Sequence, residues 1–180
     1  MGLMTRTTRL AALAVGTALL AAACSSPSSS DSKPQPAPPA AASSSSVAQP
    51  AADAATAFKK IAAAVPSATG STPVTADNDP NHLLGRPGQY TSKITFGESR
   101  IKPADTQGLE PGDVQLGGAI ETFASNTEAQ ARATYIQAAT KALPTLTEYD
   151  YVHGIHLIRV SHYLTPTQAE EYKTAAGKLP

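Results

Sequence analysis

The first 24 residues, MGLMTRTTRLAALAVGTALLAAAC, constrain the fold most, because they withdraw the N terminus from it. Arg6 and Arg9 precede an apolar run from Leu10 to Leu20, and Ala21, Ala22 and Ala23 follow. This is the basic, apolar and small-residue layout of a secretory signal. The run is about half of the roughly 20 residues that a permanent membrane helix needs, and Ser-rich chain follows at once. The expectation is cleavage before Cys24, which removes residues 1–23 from the mature fold. Cys24 is the only cysteine, so no intramolecular disulfide can form and whatever folds downstream must hold by packing alone.

A cysteine directly after the small residues accepts a diacylglyceryl group in bacterial lipoproteins. Leu19-Leu20-Ala21-Ala22-Ala23-Cys24 resembles that lipobox, with Ala21 where Leu is usual. We read Cys24 as the lipid-attachment residue and the outer face of the cell membrane as the expected location. The alternative is simple secretion after Ala23 with Cys24 left as a free thiol. An exposed thiol in an oxidising compartment is a liability that lipidation removes. Two or three acyl chains, at about 0.8 kcal/mol per buried CH₂, anchor a protein durably.

Loss of Arg6 and Arg9 leaves 12 basic residues against 14 acidic ones, a net charge of −2. Such a weak, mixed charge gives no reason to expect nucleic acid as a partner. Residues 25–50 are Ser, Pro and Ala with two charges and cannot bury enough apolar surface to offset the entropy of ordering. They are expected to be a disordered spacer, and Pro-rich chain extends by up to about 3.1 Å per residue. The membrane partner is thus reached through Cys24, with the folded part held away from it.

Beyond the spacer, residues 51–66 read as a short Ala-rich helix with a thin stripe of Phe58, Ile61 and Val65, loosely docked or an extension of the linker. Residues 67–180 read as the globular domain. Within it, residues 67–87 are dense in Gly, Pro, Asn and Asp and are expected to form a long loop. YTSKITF predicts a strand with Tyr90, Ser92, Ile94 and Phe96 on one side and Thr91, Lys93 and Thr95 on the other. After a polar loop over 97–118, AIETFAS predicts a second strand.

Ser125-Asn126-Thr127-Glu128 is a capping box opening a helix to about Ala142, with Ala129, Ala133, Ile136, Thr140 and Leu143 on its stripe. Two β-rich runs flank His153-Gly154 as a hairpin, Glu148 to Val152 and Ile155 to Ser161. Thr165-Pro166-Thr167-Gln168 opens a last helix with Ala169, Tyr172, Ala176 and Leu179 inward. The order β-β-α-β-β-α predicts an α+β fold: one antiparallel sheet of about four strands, with the helices on one face and the other face partly uncovered.

Candidate chemistry is sparse. His153, His156 and His162 lie close in sequence, and His156, Ile158, Val160 and His162 share a strand face by even spacing. With His82 they form the only candidate metal or hydrolytic cluster, and ordinary surface or sheet-face histidines are the favoured reading, with no metal site assigned. Asp77-Asn78-Asp79-Pro80-Asn81-His82 is oxygen-rich but lacks the Gly and bidentate Glu of a calcium loop, which favours Asx-turns. Glu148 and Asp150 share one strand face, expected outward, and Tyr149 and Tyr151 the other. There is no Gly-x-Ser-x-Gly elbow and no phosphate-binding Gly-rich loop, so the expectation is a non-enzymatic protein requiring no cofactor.

Three stretches, DPNHLLGRPGQYTSK, IETFASNTEAQARATYIQ and YDYVHGIHLIRVSHYLTPTQAEEY, resemble a family of small lipoproteins of high-GC Gram-positive bacteria and their phages, over residues 77 to 178. The resemblance implies a location and a context but no activity. It points to an envelope or phage protein as partner, with exclusion of related phages as one version. It also singles out residues 81–88, after Asp79, as a loop packed on the sheet, the favoured reading, or as a contact site, with Asn81, His82, Arg86 and Tyr90 as the candidate contact surface.

Overall fold

The computed structural model describes residues 53–180; the export signal, Cys24 and the spacer lie outside the described residues. Among the described residues no helix is long and apolar enough to cross a membrane.

The first helix, α1 (Ala54–Ala64), starts where the Asp53 carboxylate accepts the Thr56 amide at 2.6 Å. It is part of the core and not a linker extension. Ile61 is 0% exposed, Ala54 and Ala57 are buried, and the Phe58 ring lies 5.3 Å from that of Phe96. The Ala54 amide also donates to Ser92 Oγ. A stripe rich in Ala looks thin in sequence, yet its small side chains let the helix backbone approach the sheet closely and bury little volume per residue.

Five strands follow, one more than expected: β1 (Ala68–Pro73), β2 (Ser92–Glu98), β3 (Gly117–Thr122), β4 (Glu148–His153) and β5 (His156–Ser161). They form one antiparallel sheet in the order β1-β2-β3-β5-β4. β1 lies in the stretch read as loop. Only its Ala68 is buried, its register breaks between Thr69 and Thr72, and Gly70 there takes φ 55°. An exposed, bulged edge strand ending in Pro carries no apolar alternation to betray it. The hairpin β4–β5 turns at Gly154-Ile155, one residue later than expected, with Gly154 at φ 54° and His153 paired to His156.

Helix α2 (Asn126–Thr140) opens with the complete Ser125/Glu128 capping box, and α3 (Pro166–Ala176) with that of Thr165/Gln168. The helices do not share one face. Ile94, Phe96, Ile120, Ile158 and Val160 pack with α1 and α3 in the larger core, joined by Tyr172, Leu164 and Leu179. Ala129, Ala133 and Ile136 of α2 pack on the opposite face with Tyr90, Phe123 and Leu157. Tyr90 therefore departs from the expected alternation: the regular strand begins only at Ser92, and Tyr90 stands edge-on to Phe123. Leu143 is not part of the α2 stripe, because the helix ends at Thr140 and leaves it exposed. The larger core packs closely at Gly118, where a Cβ would meet the Phe96 ring at 2.3 Å and the Arg159 carbonyl at 2.4 Å. Only glycine fits there.

Candidate functional site: the charged face of the sheet

The face beneath α2 carries charge at alternate strand positions. Lys93 of β2 pairs in register with Glu121 of β3, and Arg159 of β5 pairs with Asp150 of β4. Glu121 is 0% exposed and takes three cations, Lys93 Nζ at 3.1 Å, Arg132 Nε at 3.2 Å and Arg159 Nη1 at 2.9 Å. Burial alone would push the Glu121 carboxyl up, but Arg159, Lys93 and Arg132 outweigh it and hold the group ionised. Lys93 lies 5.0 Å from the centre of the Tyr90 ring, and its burial lowers its pKa despite Glu121. Arg159 also donates to both oxygens of Glu148 at 3.0 and 3.1 Å.

Glu148 and Asp150 are not outward-facing. They are half-buried beside Arg159, and neither Asp150 oxygen has a hydrogen-bond partner. Burial, then the neighbouring Glu148, pushes the Asp150 carboxyl up to about 7. Tyr149 and Tyr151 pack against the larger core on the other face.

The loop from Asp79 to Tyr90 is organised from within. Asp79 is buried and accepts the amides of Asn81, Leu83 and Leu84 at 3.1, 2.8 and 2.9 Å, and the Tyr90 hydroxyl at 2.7 Å. Burial raises its pKa, but the Tyr90 hydroxyl and these amides outweigh that and bring the carboxyl down to about 2. This is an Asx-centred loop, as the Asp-Pro-Asn run suggested, and Leu83 and Leu84 pack it onto the α2 side. Tyr90 is 0% exposed, so it belongs to the support of the loop and not to a contact surface. Asn81, His82 and Arg86 are exposed, and His82 takes φ 51°.

Between this loop and α2 runs an open cleft of about 540 Å³. Asn81, Leu83 and Gln89 line one wall, Tyr135, Ile136 and Ala139 the other, with Arg132 and Arg159 also contributing. Tyr135 is 65% exposed, and the Arg132 guanidinium lies over its ring at 5.7 Å. Of the residues chosen from the sequence only Asn81 reaches this cleft. Arg132, Arg159, Lys93 and Glu121 were not singled out. Their signal is a charge in the middle of four separate strand or helix patterns whose opposite faces are apolar, which becomes meaningful only once register places those charges together.

The histidines do not form one cluster. His156 is buried on the α1 side, its Nδ1 2.9 Å from Thr122 Oγ1 and its Nε2 without a partner, and burial followed by His153 and Lys60 lowers its pKa. His153 is its cross-strand neighbour. β5 ends at Ser161, so His162 falls beyond the strand, its ring tilted 35° against that of Tyr163 with 4.2 Å between centres. His82 lies in the Asp79 loop. Among the described residues no group of three His, Cys, Asp or Glu side chains could hold a metal ion. No family model, curated protein or solved structure matches the chain.

Proposed function

We propose that the chain is a non-enzymatic binding module displayed outside the cell membrane, anchored by lipid at Cys24, with the cleft between α2 and the Asp79–Tyr90 loop as its contact site. The observation that carries this reading is the cleft itself. A concavity of about 540 Å³ combines an aromatic side chain left in solvent with a rigid, internally bonded loop. Binding sites are concave, largely apolar and fitted with few polar groups. A loop held by a buried carboxylate loses little freedom when a partner docks. The spacer of residues 25–50 gives such a module reach, and the partner is an envelope protein of the cell or of a phage.

The test has two arms. Photo-crosslinking from Asn81 and Tyr135 in intact cells is expected to trap one envelope protein, and Tyr135→Ala is expected to abolish that adduct. No adduct from either position overturns the binding reading. Metabolic labelling with a fatty acid is expected to mark the chain and to fail on Cys24→Ser, and a Cys24→Ser chain that still labels overturns the anchor.

A further inference from the structure

The two arginines of the cleft differ in what they have left to give. Arg159 spends Nε and both Nη groups on Glu148 and Glu121. Arg132 spends only Nε, on Glu121, and no described residue accepts a hydrogen bond from its two Nη amines. Its guanidinium is nonetheless held, bonded through Nε to Glu121 and lying 5.7 Å from the centre of the Tyr135 ring. A planar cation with two free parallel donors matches a carboxylate bidentately.

The surroundings restrict the ligand further. Ile136 and Ala139 on α2 and Leu83 on the loop offer apolar surface on both walls, and Asn81 and Gln89 add amides on the loop side. The sheet face beside the cleft sets Lys93, Arg132 and Arg159 against Glu121, Glu148 and Asp150, so it holds no large excess of cations for a multiply charged anion. The volume lies within the roughly 300–1,000 Å³ of small-molecule pockets.

From this geometry we infer that the cleft binds a monocarboxylate with an apolar body, the carboxylate clamped by the Nη amines of Arg132 and the body laid between Tyr135 and Ile136 on α2 and Leu83 on the loop. The inference rests on the reading of this cleft as the contact site and names the chemistry that it selects. Whether the carboxylate belongs to a free acid or to the terminus of a peptide does not alter the clamp.

The experiment is isothermal titration of the purified full chain with 4-phenylbutyrate and with its uncharged amide. The acid is expected to bind at least tenfold more tightly than the amide. Arg132→Gln is expected to remove that difference, and Ala139→Trp, which fills the cleft and leaves the Glu121 cluster intact, to abolish binding of both. Arg86→Ala, outside the cleft, is expected to bind the acid as the wild type does. Circular dichroism of each variant separates a lost site from a lost fold. Equal affinity for acid and amide, no binding of either, or an acid affinity unchanged by Ala139→Trp overturns the inference. A Tyr135-dependent envelope crosslink in the absence of acid binding would sink the carboxylate clamp alone, whereas loss of both would sink the cleft as a contact site.

Discussion

On one face of the sheet Ile94, Phe96, Ile120, Ile158 and Val160 meet α1 and α3; on the other, at alternate positions of the same strands, Lys93, Glu121 and Arg159 meet α2. The apolar face admits one buried carboxylate, Glu98, and surrounds it with donors. The charged face places its carboxylates and cations in contact and leaves a cleft beside them. Apolar burial is non-directional and tolerates neighbours of similar size. A buried ionic cluster is directional, and loss of one member strands the others. The same strands therefore carry a face that supplies cohesion and a face that fixes geometry, and substitutions at neighbouring positions should separate the two roles.

The largest effect is expected at Glu121. Glu121→Ala leaves Lys93, Arg132 and Arg159 buried around a missing carboxylate, and breaking such a cluster costs about 3–5 kcal/mol. Ile120→Ala, one residue away on the other face, opens a cavity at a cost of about 2–5 kcal/mol. Urea unfolding followed by circular dichroism should find Glu121→Ala at least as damaging as Ile120→Ala. A markedly milder Glu121→Ala would mean that the charged face contributes little to the fold. Next comes Asp79→Ala, which leaves three amides and the Tyr90 hydroxyl without their acceptor and should cost about 3 kcal/mol. Hydrogen exchange should show the Leu83 and Leu84 amides losing protection before those of β3.

Asp150 makes the stability depend on pH. Its carboxyl titrates near 7 in the folded chain and near 3.8 when unfolded. The folded state therefore binds the proton more tightly, and the contribution is fully present below about 4, declines as pH rises and is gone above 7. Asp150→Asn removes this titration. It should match the wild type near pH 4 and exceed it at pH 8, and an equal loss at both values would show that Asp150 is not held protonated.

How far this division was legible depends on the signal each element leaves. Both capping boxes, at Ser125 and Thr165, are local in sequence and place α2 and α3 correctly. Alternation at Ile94 and Phe96, and at Ile158 and Val160, marks strands with an apolar side. β1 leaves no such mark, since its Thr, Gly and Ser positions face solvent at the sheet edge. The stripe of α1 hides in alanines, whose burial depends on how closely a helix approaches and not on side-chain volume. The charged face was the least legible. Lys93, Glu121, Arg132 and Arg159 each look like a solvated position in their own segment, and only the register of β2, β3 and β5 under α2 brings them together. The loop from Asp79 to Tyr90 stands between these cases. Its Asx chemistry was visible, whereas the burial of Tyr90 followed from a change of side just before β2 that no periodicity announces.

The smallest expected effect falls on the apolar face, at the single charge that it buries. Glu98 accepts from Arg100 through both oxygens, from Ser67 Oγ at 3.0 Å and from the Tyr172 hydroxyl at 2.6 Å. Tyr172→Phe removes one of these donors and keeps the ring, which stacks on Phe96 at 5.7 Å with 21° between planes. Glu98 stays paired with Arg100, so the carboxylate is not stranded, and the cost should be about 1 kcal/mol, near the net worth of one hydrogen bond. Glu121→Ala on the opposite face, where one carboxylate serves three cations at once, should cost several times more. A loss from Tyr172→Phe as large as that from Glu121→Ala would show that the apolar face, too, is organised around its buried charge, and the contrast between the two faces would then be one of degree.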